Sequence, residues 1–305
     1  MNNSSLLDQL IQEVSAINPL QKKSLDQYFT QLSSEEKQGM NNFADDYISY
    51  LKKNNYTIGE IAQNYSWMCK EVLREQIYFK RNGRYRFDKL EDTYKNVYSN
   101  EGYMEKYMIG VGVSQMLWKN HHDMFSFWLK HICSVQLDKY LEIGVGHGMF
   151  FKNAIISGNF SEYWGVDISE TSLAMAKDVV NDVASNKQVN FMLKDVLEVD
   201  EFDGSIDFVT MGEVLEHVEK PELLVNKIAK MLKKDGKAYI STCANAPVID
   251  HIYLFNNIEE IRQLFYSSNL EIMDEVIICN DNTPKDQWDS EKANLSYAAI
   301  VVKNK

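Results

Sequence analysis

The stretch Leu137-Asp-Lys-Tyr-Leu-Glu-Ile-Gly-Val-Gly-His-Gly148, followed by Gly165-Val-Asp-Ile-Ser169, decides the fold of this chain. Residues 137–143 read as a strand, and Gly144, Gly146 and Gly148 form a turn that opens an amphipathic segment at Met149. A second apolar run, Tyr163 to Ile168, carries Asp167. Each part has a physical role. Glycine permits backbone angles closed to other residues and lets a ligand come close to the main chain. A helix that begins just after the turn offers unpaired N–H groups. A carboxylate at the end of the neighbouring strand can accept both hydroxyls of a ribose. Asp167 stands 23 residues beyond Gly144 (167 − 144), near the spacing of a nucleotide-binding βαβ unit.

The glycine spacing narrows the ligand. A dinucleotide fingerprint is G-x-G-x-x-G, with room for a pyrophosphate, whereas here the run is Gly144-x-Gly146-x-Gly148 with Glu142 on the strand before it. This resembles the first motif of class I S-adenosylmethionine (SAM) methyltransferases, whose ligand has a ribose and a charged amino acid but no phosphate. Further stretches extend the resemblance in order. Residues 165–169 look like the ribose motif, and Lys194-Asp195-Val196 like the adenine-contacting one. Asp207-Phe208-Val209 and Gly212-Glu213-Val214-Leu215-Glu216-His217-Val218 look like the fourth strand and its loop. The resemblance covers roughly residues 106–305.

It implies a Rossmann-like seven-stranded α/β sheet, preceded by an N-terminal α-helical region over residues 1–105. The strands expected are 137–143, 162–168, 189–193, 205–211, 236–243, 270–279 and 295–303. The helices expected between them are 148–157, 169–184, 221–233 and 257–268, with Gly236 beyond the end of the third. No helical pattern separates the last two strands, which read as an antiparallel pair. The cofactor would be SAM, held by Glu142 at its ammonium, Gly144 and Gly146 beneath it and Asp167 at the ribose. Ile168 would pack on adenine, Asp195 and Val196 would read its amino edge, and Met211 would floor the site.

Composition limits the partners. A net charge of −12 argues against nucleic acid, whose binding rests on Lys and Arg neutralising phosphates. Lys70, Arg74, Lys80, Arg81, Arg84 and Arg86 form one basic cluster, which reads as a solvated helix end. No apolar run approaches the ~18 residues of a membrane span. The polar start Met-Asn-Asn-Ser-Ser is not that of a signal peptide. Cys69, Cys133, Cys243 and Cys279 include no C-x-x-C pair, the pattern of reduced thiols in a cytoplasmic protein.

Before residue 105 the sequence reads as helices. Asn18-Pro19 is a helix start, and Ser33/Glu36 and Thr57/Glu60 have capping-box spacing. Leu51, Ile58, Ile61, Tyr65 and Met68 mark apolar faces. The region is expected to be either a substrate lid or a scaffold that covers the sheet or forms a homo-oligomer contact. Between 103 and 131, Val113, Leu117, Met124 and Trp128 form a stripe, with Asn120 and His121 near it. Tyr103, Tyr107, Gln115, Trp118 and His121 are candidate walls for the methyl acceptor, against the alternative of a core pair or helix junction at Lys119-Asn120. His122 and His131 are expected at the solvent face, and His147 at a helix start.

The candidate catalytic residues are His217, His251 and His121. Glu213-x-x-Glu216-His217 resembles the segment of ubiquinone-biosynthesis O-methyltransferases, and also the metal-binding motif of small-RNA 2′-O-methyltransferases. In the latter resemblance, Glu213, Glu216, His217 and His251 would hold a divalent metal ion that lowers the pKa of an acceptor hydroxyl. The reading that leads is a SAM-dependent methyltransferase acting on an oxygen or nitrogen of a small metabolite, a secondary-metabolite intermediate being one class. Metal-assisted O-methyl transfer and a non-catalytic SAM-binding scaffold are the alternatives.

Overall fold

The structure, a computed structural model, describes residues 4–132 and 136–304; Cys133 and the first three residues of the N-terminus lie outside them. Five helices come first: α1 (Leu6–Ile17), α2 (Pro19–Gln31), α3 (Ser34–Lys53), α4 (Ile58–Asn82) and the short α5 (Leu90–Thr93). Their starts follow local chemistry. Ser33 and Thr57 accept from the N–H groups of Glu36 and Glu60, whose carboxylates reach back to the cap backbone, so two orphan donors are satisfied at each end. Gly83, at φ 68°, closes α4. A π-helical turn, Tyr94–Tyr98, then leads into α6 (Glu101–Leu117) and α7 (Lys119–Ile132). The expected division at 105/106 falls inside α6.

Alternation of strands and helices follows: β1 (Leu137–Ile143), α8 (Met149–Ser157), β2 (Phe160–Asp167), α9 (Glu170–Val180), β3 (Gln188–Leu193) and β4 (Ile206–Gly212). Then come α10 (Pro221–Met231), β5 (Leu232–Ala244), α11 (Ile258–Ser267), β6 (Leu270–Cys279) and β7 (Leu295–Lys303). The seven strands lie in the order β3-β2-β1-β4-β5-β7-β6. β1 to β5 pair in parallel, while β7 runs antiparallel to both β5 and β6. The order reverses at β1/β4, and ligands bind beyond the carboxyl ends of the strands at such a switch point. One expectation is corrected here. Gly236 does not follow a helix end but lies within β5, where a Cβ would sit 2.7 Å from the Ile206 carbonyl oxygen. α10 stops at Met231 because the chain enters the sheet at once.

Three apolar cores hold the layers. One face of the sheet packs α10 and α11 through Leu224, Ile228, Ile261 and Phe265. The other packs α7, α8 and α9 through Trp128, Phe151 and Ala176. Trp128 is fully buried and its Nε1–H donates to Thr210 Oγ1 at 2.9 Å, which ties α7 to β4. The helical region has its own core, including Leu10, Tyr47, Ile61, Tyr65, Met68, Val113 and Leu117, and it reaches Met149 and Val179 of the sheet layer. Lys152 on α8 bridges Asp46 of α3 (3.1 Å) and Asp182 (3.0 Å). The helices therefore cover the carboxyl ends of the strands. No helix among the described residues is long and apolar enough to cross a membrane.

Candidate active site

At the end of β1 the chain turns through Gly144 (φ 74°), Gly146 (φ 48°) and Gly148 (φ 74°). A Cβ on Gly146 would meet nothing within 4 Å, so its missing side chain leaves open space for a ligand. At Gly148 the missing Cβ instead allows Ala176 of α9 to approach, at 2.7 Å from where it would stand. Asp167, at the end of β2, accepts from the Ser169 N–H (2.8 Å) and more distantly from the Gly146 N–H (3.4 Å). Burial raises its pKa above the usual carboxylate range. Glu142 is buried and accepts from the Tyr140 hydroxyl at 2.6 Å. Burial pushes its pKa up to about 8.

These groups open onto a cavity of about 1720 Å³, larger than the ~300–1,000 Å³ of a pocket for one small ligand. Glu142, Gly144, Gly146, Asp167 and Ile168 line it, and Ile168 is 70 % exposed there with an apolar surface free. The other three residues expected at the cofactor, Asp195, Val196 and Met211, do not line this cavity. Asp195 uses its carboxylate to accept from the Leu197 N–H at 2.9 Å. Val196 and Met211 pack into the core. Gly212, next to Met211, lines the cavity.

The helical region supplies the opposite wall. Tyr107, Gln115, Trp118 and His121 line the cavity, whereas Tyr103 does not; it lies one turn before Tyr107, with ring centroids 6.2 Å apart, and meets Trp67 edge-on at 4.8 Å. The Trp118 Nε1–H donates to the Tyr65 hydroxyl at 2.9 Å. His121 Nδ1 lies 2.8 Å from Ser114 Oγ and 3.2 Å from Gln115 Nε2, and burial pushes its pKa down to about 4. The helix junction falls at Trp118, one residue before the expected Lys119-Asn120, which open α7. The expectation for two other histidines is overturned. His122 is buried in α7, and His131 donates from Nε2 to the Asp274 carboxylate at 2.9 Å, because α7 packs across β6 and β7.

The far end of the cavity gathers residues from three loops. After β4, Glu213 takes a positive φ of 52°, and a 3-10 turn over Leu215–His217 follows. Ser241 and Thr242, neighbours on β5, donate to Glu213 Oε1 and Glu216 Oε2, each at 2.7 Å. Glu216 is fully buried, and a hydrogen bond joins its carboxyl to that of Glu213. Burial, then the charge of Glu216, raises the Glu213 pKa well above the usual range, and burial raises that of Glu216 to about 7. His217 Nδ1 lies 3.0 Å from the Asp250 carbonyl oxygen and 3.6 Å from its carboxylate. His251 Nδ1 lies 2.7 Å from the Ala246 carbonyl, and burial pushes its pKa down to about 3. The two imidazoles meet edge to face at 4.9 Å.

Three participants lie beyond those the sequence suggested. Asp250 is buried and accepts from the hydroxyls of Tyr107 (3.2 Å) and Tyr98 (3.4 Å). Its place beside His251 was the available signal. Cys243 Sγ stands 3.7 Å from His251 Nδ1. Tyr98, on the π-helical turn, had no signal, since tyrosines in a helical region are more often packing residues. Of the three candidate catalytic histidines, His217 and His251 come together, and His121 belongs to the α6–α7 wall.

Residues 141–240 match the methyltransferase-domain family, about a third of the chain. The chain is 27% identical over 121 residues to a ubiquinone biosynthesis O-methyltransferase of Dechloromonas aromatica, covering 39% of this chain and 50% of that one. With the enzyme of the same description from Idiomarina loihiensis it is 33% identical over 105 residues, 34% and 42% of the two chains. It thus spans about half the length of the curated relatives it matches. Among solved structures, Haemonchus contortus phosphoethanolamine N-methyltransferase 2 in complex with SAM has a similar fold, with a TM-score of 0.54 and 16% identity, over 71% of this chain and 60% of that one. The sheet order, the glycine turn and the sequence match agree: residues 141–240 form a methyltransferase domain.

Proposed function

We propose that this protein transfers a methyl group from SAM to an oxygen or nitrogen of a small metabolite. One observation carries the reading: the glycine turn with Asp167, and His217 with Asp250, face one cavity large enough for a cofactor and an acceptor together. The donor set suits SAM. Gly146 leaves space beside the turn, Asp167 offers oxygens to a ribose, and Glu142 offers a carboxylate to an ammonium. When bound, SAM supplies a methyl group already activated on a sulfonium, so the protein's tasks are positioning and removal of a proton.

His217 suits the second task. A carbonyl oxygen only accepts, so the 3.0 Å contact with Asp250 requires the proton on Nδ1. Nε2 then keeps its lone pair and takes the proton of the acceptor's hydroxyl or amine. The Asp250 carboxylate, 3.6 Å away, stabilises the imidazolium that forms. Tyr98 and Tyr107 hold that carboxylate in place. Tyr107, Gln115, Trp118 and His121 would contact the acceptor. Incubation with SAM and a panel of phenols, alcohols and amines should yield S-adenosylhomocysteine (SAH) with at least one acceptor. Failure of the protein to bind SAH would remove the reading, and binding without turnover across the panel would favour the scaffold alternative.

A second reading, metal-assisted O-methyl transfer, is favoured by one observation. Donor atoms of Glu216, Cys243 and His251 lie within 4.8 Å of one another, and so do those of His217, Asp250 and His251. Mixed oxygen, nitrogen and sulfur donors suit a borderline transition metal such as Zn²⁺ or Fe²⁺, which would lower the pKa of an acceptor hydroxyl. Glu213, bonded to Ser241, is in neither group. Turnover that survives EDTA would assign the chemistry to His217 alone.

A further inference from the structure

The cavity also reaches the ends of β6 and β7, and there its lining changes character. Asn120 at the start of α7, Asn280 just past β6, Asn282 and Asn294 in the hairpin that follows, and Ser296 on β7 all line it. These side chains are polar and uncharged. The charged groups nearby are engaged elsewhere. Lys119 pairs with Asp123. Asp281, in the same hairpin, is not among the lining residues and accepts from the Thr283 hydroxyl (2.7 Å) and the Asn294 N–H (3.0 Å). Ser296 pairs with Cys243 across β5 and β7, and Cys243 Sγ lies 3.7 Å from His251 Nδ1. The arm therefore lies about one strand spacing, ~4.8 Å, beyond the histidines.

One network fixes these groups and leaves part of their capacity unspent. Asn120 Nδ2 and Asn280 Nδ2 each donate to Ser296 Oγ at 3.0 Å, and Asn280 Nδ2 also donates to Asn294 Oδ1 at 2.9 Å. Ser296 is 3 % exposed, and both lone pairs of its hydroxyl are taken, so its O–H is left to donate. That O–H and the Asn294 Nδ2 hydrogens have no acceptor among the described residues, while Asn120 Oδ1 and Asn280 Oδ1 have no donor. Donors and acceptors thus stand side by side on a rigid frame, without a charge. An ammonium could only donate and would leave the donors unmatched; a carboxylate or phosphate could only accept and would find no free cation. A hydroxyl does both, and neighbouring hydroxyls match an array spread over α7, the hairpin and β7. A single carboxamide would serve only one of these asparagines. Resting on the methyl-transfer reading above, we propose that the acceptor carries an uncharged, polyhydroxylated group, such as a sugar ring, held by Asn120, Asn280, Asn294 and Ser296. Its reacting atom would lie at His217 and its hydroxylated part across β5.

The test uses three matched compounds on the full chain, with and without SAH. Phenyl β-D-glucopyranoside, 2-phenoxytetrahydropyran and phenyl β-D-glucuronide share one ring and one aryl ether. The first is hydroxylated and neutral, the second lacks the hydroxyls, and the third adds a carboxylate. Calorimetry or ligand-observed NMR should show the glucoside bound at least ~10-fold tighter than the tetrahydropyran, the scale of two neutral hydrogen bonds, and tighter than the glucuronide. Asn120→Ala and Ser296→Ala should each cut that preference at least ~3-fold. The two positions lie on different elements, so a folding defect in one, seen in its thermal melt, leaves the other as the test. Equal binding of glucoside and tetrahydropyran, a glucuronide bound as tightly as the glucoside, no glucoside binding up to about 10 mM, or a preference unchanged in the folded variants would overturn the proposal. Absence of SAH binding in the wild-type protein would instead overturn the cofactor reading, because the glucoside preference is also measured without SAH.

Discussion

Glu142 offers a direct test of how the cofactor end works. Its carboxyl is buried beneath the glycine turn, held by the Tyr140 hydroxyl, with a pKa pushed up to about 8. In the empty site it is therefore mostly protonated at neutral pH. An ammonium ligand needs it ionised, and the ionised fraction grows with pH, so affinity should rise as pH rises toward 8. From a pKa of about 8, the ionised fraction is roughly 1% at pH 6 and roughly 24% at pH 7.5. The SAH Kd should therefore fall roughly 25-fold over that interval, with a proton released on binding. Glu142→Gln keeps the shape but carries no charge. A charge-assisted bond is worth ~1.5–3 kcal/mol, and ionising the wild-type group at pH 7.5 costs ~0.8 kcal/mol. The variant should bind SAH about 1–2 kcal/mol more weakly at pH 7.5, or 5- to 30-fold, with a flat pH profile. Calorimetry in buffers of different ionisation enthalpy measures both affinity and proton release. 5′-Methylthioadenosine, which lacks the ammonium, is the control and should bind independently of pH. A flat profile for SAH in the wild-type protein, or the same slope in Glu142→Gln, would refute the reasoning.

Asp167→Ala should weaken SAH binding by at least ~1.5 kcal/mol, the scale of hydrogen bonds to a charged group, and unchanged affinity would remove its ribose role. His217→Ala should lower kcat by ~10²- to 10⁴-fold if the imidazole takes the acceptor's proton, while the SAH Kd stays near wild type; wild-type turnover would end that assignment. Gly112→Ala tests the attachment of α6 to α3, because the added Cβ would stand 2.1 Å from the Tyr47 ring. Overpacking of this kind costs ~1–3 kcal/mol, so denaturant unfolding should show a lower midpoint, and an unchanged midpoint would mean that Tyr47 moves aside freely.

The succession of seven strands along the chain, the glycine turn, the antiparallel final pair and the helix caps at Ser33 and Thr57 were legible in the sequence. They rest on local rules: periodicity, capping chemistry and the backbone freedom of glycine act over a few residues. That Glu142, Gly144, Gly146 and Asp167 would line one cavity was legible for the same reason, since one βαβ unit carries them all. The far end of the cavity was legible only in part: the resemblance named Glu216, His217 and His251 together, but not Asp250 or Tyr98. These residues come from two loops and a π-helical turn, joined only when β4 and β5 lie side by side and that turn closes over them. The sequence likewise marked His122, Val196 and Tyr103 by residue type, but burial decided their orientation. Which face of α6 and α7 turns to the sheet depends on long-range packing, such as Trp128 reaching Thr210 across 82 residues. Local chemistry determined the elements and the glycine turn; only the packing of helices over the strand ends decided which side chains share the cavity beside it.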